Sequence, residues 1–254
     1  MKKFIQLISL VFIFTIQVSQ SFAAEVNLYF TRHGKTMFNT THRAQGWSDT
    51  PLTKAGVEVA QQLGLGLKHV DFIAVYSSDS GRARETARLI LEAKGDEKNI
   101  ITELKTLRET CFGLFEGDLD PNMWGPAAQY LGYPSDQELM ADFNAGKITI
   151  DKMMNAIAAV EKSGEAENYE TVKNRMLESM YDIAKSAQKQ GGGNVLIVSH
   201  GMAILAMINE MTETPVHQAL GNASVTKIRY TDDGIFIVES VGDMSYVENA
   251  KLIK

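Results

Sequence analysis

Three adjacent residues, Arg32, His33 and Gly34, directly follow an apolar run that ends at Thr31. A guanidinium group can bind two phosphate oxygens, an imidazole offers a nucleophilic nitrogen, and glycine lets the backbone approach a ligand. Ligands of open α/β sheets bind beyond the carboxyl ends of strands, which is where this triplet is expected. The triplet indicates phosphate chemistry, although a lone histidine at a strand end is more often structural.

Four further segments carry side chains of the same kinds. They span residues 43–56, 76–86, 107–117 and 198–201, and they contain Gln45, Gly46, Arg82, Glu109 and His200. Because the carboxyl ends of parallel strands meet at one edge of a sheet, we expect Arg82, Glu109 and His200 to lie on the same rim as His33.

The five ordered motifs resemble those of the histidine phosphatase superfamily, the phosphoglycerate mutase-like proteins, in its phosphatase-type branch. The resemblance runs from about residue 26 to residue 240, but residues 119–169 carry no motif of that family. It implies that His33 accepts the phosphoryl group, that Glu109 donates a proton and that His200 is the second site histidine. The resemblance further implies phosphate clamps at Arg32 and Arg82, a phosphate contact at Asn39, and a loop near the substrate at Gln45 and Gly46.

The same chemistry follows from the residue types. Phosphate monoesters hydrolyse extremely slowly unaided, so an enzyme must place a nucleophile in line and neutralise the phosphoryl oxygens. Two arginines, the second histidine and the N-terminus of the helix after His200 can supply that positive potential. The same potential disfavours protonation of His33, so a ring nitrogen stays free to attack and form a phosphohistidine. Glu109 would protonate the leaving alkoxide and then deprotonate the attacking water.

Two of these assignments have a rival nearby in the sequence. Arg84 is the alternative clamp to Arg82, and Glu116 is the alternative acid to Glu109. Arg108 is interpreted as a structural or rim residue.

Short β-rich runs alternate with helical patterns, which favours parallel strands joined by crossover helices. Strands are predicted at 26–31, 72–76, 100–104 and 194–199, helices at 53–68, 81–93, 169–190 and 202–211, and a hairpin at 225–241. The predicted fold is an α/β three-layer sandwich with a mostly parallel central sheet, helices on both faces and a helical cap insertion.

The alternation of strands and helices stops between about residues 112 and 170, where prolines precede helical stretches near 136–143 and 149–162. Insertions at a sheet rim commonly close over a site and set its specificity. We therefore expect one domain over residues 24–254 with a cap-like insertion at about 112–170. An insertion without a role at the site is the alternative.

The first residues have the pattern of a secretory signal peptide. Two lysines precede an apolar run over residues 4–18, and the small residues Ser21 and Ala23 follow it. Polar residues interrupt the run and make it marginal for a membrane span. The pattern predicts a signal peptide over residues 1–23 and an exported protein, periplasmic or secreted, without stable membrane association after cleavage. An uncleaved anchor is the alternative.

Charge and cysteine content narrow the possible partners. The 25 basic and 31 acidic residues give a net charge of −6, a poor match for nucleic acid or anionic lipid. We expect a small phosphorylated substrate as partner, no nucleic acid, no cofactor and no metal, and the oligomeric state stays open. With Cys111 as the only cysteine, the chain cannot form an internal disulfide, so its fold must be stabilised by its core.

The expected activity is that of a metal-independent histidine phosphatase, a phosphomonoester hydrolase. Cofactor-dependent mutases of the family carry Glu-Arg-His-Tyr-Gly around the acid, whereas here Glu109 is followed by Thr110, Cys111, Phe112 and Gly113. The alternatives are a phosphoglycerate mutase-type phosphotransferase and a non-catalytic phospho-ligand binding protein. A metallohydrolase is a third alternative, which five dispersed histidines support poorly.

Overall fold

The computed structural model describes residues 24–96, 98–213 and 216–250. The predicted signal peptide over residues 1–23 lies outside this range, so cleavage and export stay predictions. Within the described residues, no helix is long and apolar enough to cross a bilayer.

Six strands of the described chain form one sheet in the order β3-β2-β4-β1-β5-β6. The strands are β1 (Val26–Arg32), β2 (Phe72–Ser78), β3 (Ile101–Leu104), β4 (Gly193–Ser199), β5 (Val225–Tyr230) and β6 (Phe236–Asp243). The pairs β2·β3, β2·β4 and β1·β4 are parallel, while β5 runs antiparallel to both β1 and β6. The predicted α/β fold with a mostly parallel sheet is confirmed.

Helices cover both faces of this sheet. They are α1 (Met37–Thr41), α2 (Lys54–Gly66), α3 (Gly81–Lys94), α4 (Asp120–Tyr130), α5 (Asp136–Asn144), α6 (Ile150–Val160), α7 (Tyr169–Lys189), α8 (Gly201–Ile208) and α9 (Ser245–Ala250). Helices α2, α3 and α9 bury one face, and α7 and α8 bury the other. The helix predicted at 202–211 ends at Ile208, and α1 and α9 were not predicted.

The central strands are apolar on both sides, which explains why they read as continuous apolar runs. In β1, Leu28 and Phe30 join the core under α7 and α8, whereas Tyr29 joins the core under α2 and α3. In β4, Ile197 and Leu196 divide between the two faces in the same way. This alternation fixes the strand registers, because a shift by one residue would exchange the two faces.

The cap insertion contains α4, α5 and α6. Helices α5 and α6 match the stretches predicted near 136–143 and 149–162, but α4 was not predicted because it contains Pro121 and Pro126. Pro121 lies in the first turn, where a missing N–H costs little because first-turn N–H groups have no partner within the helix. Helices α4 and α6 pack together around Met123 and Ile157. These two residues belong to a small hydrophobic core that is separate from the cores on the sheet.

Candidate active site

The parallel pairing of β1 with β4 places His33 beside His200. Arg32 pairs with Ser199 at the ends of these strands, so each histidine is the next residue along its chain. The backbone N–H of His33 donates to the carbonyl of Ser199 at 3.0 Å. The two rings are 5.2 Å apart between centroids, and both are almost fully buried.

The proton on His33 is fixed by its backbone neighbour. Nδ1 of His33 lies 2.8 Å from the carbonyl oxygen of Gly34. Because a carbonyl only accepts, Nδ1 carries the proton and Nε2 carries the lone pair. His33 is thereby held in the tautomer in which Nε2 can act as a nucleophile.

His200 is held in the opposite tautomer. Its Nδ1 lies 3.0 Å from Nη2 of Arg82, and a guanidinium group only donates hydrogen bonds. Nδ1 of His200 therefore accepts, and Nε2 carries the proton. One imidazole can attack phosphorus while the other can donate to a phosphoryl oxygen.

Both rings are neutral at neutral pH. Burial, followed by the charges of Arg82 and Arg32, holds the pKa of His33 well below the ordinary histidine value. Burial and the charge of Arg82 lower the pKa of His200 in the same direction. Two neutral rings side by side avoid the repulsion that two imidazolium ions would have at this distance.

The lowered histidine pKa values predict a pH dependence of stability. Below pH ~6.5 the unfolded chain binds protons at both positions and the folded protein does not. The free energy of unfolding therefore decreases as the pH is lowered. We expect the free energy of unfolding to fall by about 1 kcal/mol per ring between pH 6.5 and 5.5. Urea denaturation should show a smaller fall for the double variant His33→Gln, His200→Gln. Equal falls in variant and wild type would contradict the assignment.

Arg82 is fully buried and holds the loop between α1 and α2 against His200. Its Nη1 donates to the carbonyl of Ser48 and to Oδ1 of Asp49, each at 2.9 Å, and its Nη2 donates to the carbonyl of Gly46 at 2.7 Å. Nε of Arg82 is buried without a hydrogen-bond partner among the described residues. This guanidinium thus orients protein groups, and the phosphate clamp predicted at Arg82 stays a prediction.

Arg32 lies on the cavity side of the histidines. Its Nη1 donates to the carbonyl of Leu220, while its Nε is also buried without a partner in the described part of the chain. A buried N–H group without a partner needs an explanation, and a phosphoryl oxygen in the cavity would satisfy Nε of Arg32. The rival clamp Arg84 is half exposed, pairs with Glu103 at 3.6 Å and is not among the described residues that line the cavity containing His33.

Glu109 caps the N-terminus of α8 at the edge of the site. Its Oε1 accepts from the backbone N–H groups of Thr110 and Ala203 at 2.9 and 2.8 Å, and its Oε2 accepts from Met202 at 3.0 Å. The expectation that the helix N-terminus after His200 would stabilise phosphate is therefore wrong for two of its N–H groups, which bind Glu109 instead. Oε2 accepts a single bond and keeps capacity for a proton.

Glu116, the rival acid, organises the neighbouring loop. Its carboxylate accepts four backbone N–H groups, from Gly46 at 3.1 Å, Trp47 at 2.7 Å, Ser48 at 2.9 Å and Phe112 at 3.0 Å. It is not among the described residues that line the cavity containing His33. Geometry therefore favours Glu109 over Glu116 as the acid.

Gly46 does not reach the cavity that contains His33. Its N–H binds Glu116 and its carbonyl binds Arg82, so its predicted place in a loop near the substrate stays a prediction. A Cβ at this position would lie 2.1 Å from the carbonyl oxygen of Thr110, so only glycine fits. Gly46 affects the site indirectly, because its close packing places the backbone carbonyl that accepts from Arg82.

Asn39 and Gln45 both line the cavity, and the phosphate contact predicted for Asn39 stays a prediction. Oδ1 of Asn39 accepts from the N–H of Thr36 at 3.2 Å, and its amide nitrogen donates to no other described residue. Both ends of the Gln45 amide are engaged, since Oε1 accepts from the Thr36 hydroxyl at 2.6 Å and Nε2 donates to Thr50 at 2.9 Å. Gln45 therefore shapes the cavity wall rather than offering a free donor.

Two residues of the site were missed in the sequence analysis. Asn222 lines the cavity and donates from Nδ2 to the carbonyl of His33 at 3.0 Å. Arg175 of α7 donates to the carbonyls of Arg108 and Glu109 at 2.6 and 2.8 Å and pairs with Glu167 at 2.8 Å. Arg175 lies 66 residues from Glu109 in sequence and carries no motif, so only the folded chain reveals its contact.

A cavity of about 530 Å³ opens beside the histidines under the cap. Its described lining contains Arg32, His33, Lys35, Asn39, Arg43, Ala44, Gln45, Glu109, Phe112, Asp120, Met123, Trp124, Met140, Gly201, Met202, Leu205, Ala219, Leu220 and Asn222. Arg82 is not part of this lining, and His200 lines a second, smaller cavity that shares Glu109 with the first. In the described part of the chain, no group of three or more His, Cys, Asp or Glu side chains could hold a metal ion.

The sequence matches the model of the histidine phosphatase superfamily (branch 1) over residues 28–131 and 147–243. The chain belongs to this superfamily. The unmatched residues 132–146 lie in the cap around α5, the part of the chain in which the sequence shows no family motif. The predicted family is confirmed.

Relatives in the superfamily include both mutases and phosphatases. A probable phosphoglycerate mutase of Shigella boydii is 27% identical over 231 residues, which cover 88% of this chain and 95% of that protein. A solved phosphoglycerate mutase of Bacillus anthracis is 46% identical with a TM-score of 0.84, covering 90% of this chain and 97% of its own. A phosphoserine phosphatase of Entamoeba histolytica, solved with 3-phosphoglyceric acid, shares the fold at 21% identity, with a TM-score of 0.63 and coverage of 87% and 99%.

Proposed function

We propose that this protein is an exported phosphomonoester hydrolase that works through a phosphohistidine on His33. One observation carries the proposal, namely two buried neutral imidazoles whose centroids are 5.2 Å apart and whose tautomers are opposite. A site that only bound phosphate would need neither a free Nε2 lone pair nor a carboxylate beside it. Cleavage after Ala23 would leave Ala24 as the first residue, which N-terminal sequencing of the mature protein can read.

The first half-reaction transfers the phosphoryl group to the protein. The lone pair on Nε2 of His33 attacks phosphorus, and the bond between phosphorus and the ester oxygen breaks. Nε2–H of His200 and the guanidinium of Arg32 donate to the phosphoryl oxygens. The leaving oxygen takes a proton from Glu109, so the alcohol departs neutral and Glu109 is left as a carboxylate.

The second half-reaction releases inorganic phosphate. The Glu109 carboxylate takes a proton from water while the water oxygen attacks phosphorus. The bond between phosphorus and Nε2 of His33 breaks, and its electron pair returns to the ring. The free protein is restored with Glu109 protonated, which balances the proton that the alcohol took away.

Mutase activity is the second candidate, because the solved structure that is 46% identical is described as a phosphoglycerate mutase. Hydrolysis is favoured here by the residues after Glu109, which differ from the mutase motif. Export favours it as well, since a mutase of this type depends on a cytosolic bisphosphoglycerate primer.

The acceptor of the phosphoryl group distinguishes the two activities. We expect the purified mature protein to release inorganic phosphate from phosphate esters without added bisphosphoglycerate, and to incorporate ¹⁸O from labelled water into that phosphate. With 3-phosphoglycerate, release should exceed conversion to 2-phosphoglycerate at least about tenfold, a difference of ~1.4 kcal/mol in barrier height. Isomerisation that depends on bisphosphoglycerate and outpaces release would assign the mutase instead.

A further inference from the structure

The cavity beside His33 has two chemically different ends. The end at the sheet is polar and contains Arg32, His33 and Asn39. The cap and α8 contribute most of the large apolar residues of the described lining, namely Phe112, Met123, Trp124, Met140, Met202 and Leu205. A phosphate bound at His33 would therefore direct its ester group towards an apolar wall.

The cap contributes almost no charge to this wall. Of the lining residues it supplies within the described chain, Asp120 alone is charged, and it is an acid. Lys35 is exposed, and Arg43 donates from Nη1 to the carbonyl of Gly117 at 2.8 Å. An ester group that carries a carboxylate, such as phosphoglycerate, would face Asp120 and apolar surface without a cation from the cap.

The cavity is also large for a three-carbon ester. Its volume of about 530 Å³ lies in the range of sites that enclose ring-containing ligands. A short ester would leave much of the apolar wall in contact with water, and that wall would then add nothing to binding.

We propose that the substrate is a phosphomonoester whose alcohol part is large, uncharged and mostly apolar, about the size of two fused rings. This proposal rests on the proposed function. The phosphate binds at His33 and Arg32, and the apolar group packs between Trp124, Met140 and Leu205. Specificity then comes from apolar surface in the cap and not from charge recognition.

The test compares esters whose alkoxides have nearly equal basicity, so that leaving-group chemistry does not differ. We expect kcat/KM for 2-(1-naphthyl)ethyl phosphate to exceed that for ethyl phosphate by about 30-fold or more, from the apolar area buried. It should exceed that for 3-phosphoglycerate by at least as much. Equal values for the three esters, or a preference for 3-phosphoglycerate, would overturn the proposal.

Two residues of α4 provide a matched pair of variants. Trp124 lines the cavity, whereas Tyr130 on the same helix is 63% exposed outside it. Trp124→Ala should lower kcat/KM for the naphthyl ester about tenfold or more and lower that for ethyl phosphate by a much smaller factor, because only the larger ester contacts the indole. Tyr130→Ala should change neither value. A Trp124→Ala variant with both esters unchanged would contradict the proposal.

A second variant is informative even if Trp124→Ala does not fold. Met140 is partly buried at the cavity wall, so Met140→Lys places a cation where the wall is apolar. We expect this change to lower kcat/KM for the naphthyl ester and to raise it for 3-phosphoglycerate. The opposite shifts would overturn the proposal.

Failure of this proposal differs from failure of the proposed function. If the wild type releases phosphate through His33 but prefers 3-phosphoglycerate, hydrolysis stands and the apolar substrate class is wrong. If no ester in the panel yields phosphate and His33 is never phosphorylated, both proposals fail.

Discussion

His33→Ala is expected to abolish phosphate release from every ester, with a loss of at least about 10⁴-fold in kcat, the scale for removing a nucleophile. The reason is geometric. Of the two rings, only His33 has an unprotonated Nε2 with a free lone pair. In His200, Nδ1 accepts from Arg82 and Nε2 carries the proton. His200 therefore cannot take over the attack without a change of tautomer.

Three measurements check this expectation. Quenched wild-type protein should contain acid-labile phosphate bound to histidine during turnover, and His33→Ala and His33→Gln should contain none. His69→Ala is the matched control, since His69 is exposed and distant in sequence from every motif, and it should retain wild-type rates. Phosphorylated protein in His33→Gln, or more than a small fraction of wild-type activity there, would contradict the proposed mechanism.

The second large effect is expected at Glu109 and depends on the leaving group. Glu109→Gln should lower kcat about 10²- to 10⁴-fold for an alkyl phosphate, which needs a proton on its departing oxygen. For p-nitrophenyl phosphate, whose phenolate leaves unprotonated, phosphorylation of His33 should change far less. Burst kinetics with the aryl ester separate this first step from the later water attack, which Glu109 also assists.

Glu116→Gln is the matched control for Glu109→Gln. Glu116 accepts four backbone N–H groups and shapes the loop that binds Arg82, so its loss should lower the rates of both esters by a similar factor. A dependence on the leaving group in Glu116→Gln but not in Glu109→Gln would move the acid role to Glu116.

The fold was largely predictable because its central strands are buried on both faces. Such strands read as continuous apolar runs, and the helices between them have clear caps, as with Thr53 before α2 and Asn168 before α7. Helix α4 was missed since two of its residues are prolines, and its packing against α6 outweighs their low helical preference.

The predicted site residues lie close together because strand ends in a parallel sheet share one rim. His33, Glu109 and His200 each follow or border such an end; His33 and Glu109 line one cavity, and the ring of His200 lies directly beside that of His33. The sequence favoured Glu109 over Glu116 and Arg82 over Arg84, but it left Glu116 and Arg84 as alternatives. The two members of each pair differ in the groups that they contact. Most of those groups lie tens of residues away in the sequence.

The sequence by itself determined the α/β class, the superfamily and the identities of the reacting groups, because these depend on local patterns and residue types. The tertiary structure decided what each group is free to do. The tautomers of His33 and His200 come from a neighbouring carbonyl and a buried guanidinium, and Glu109 is oriented by the amides of α8 and by Arg175. Hydrogen-bond partners of this kind are chosen by packing between distant segments, which no local pattern encodes.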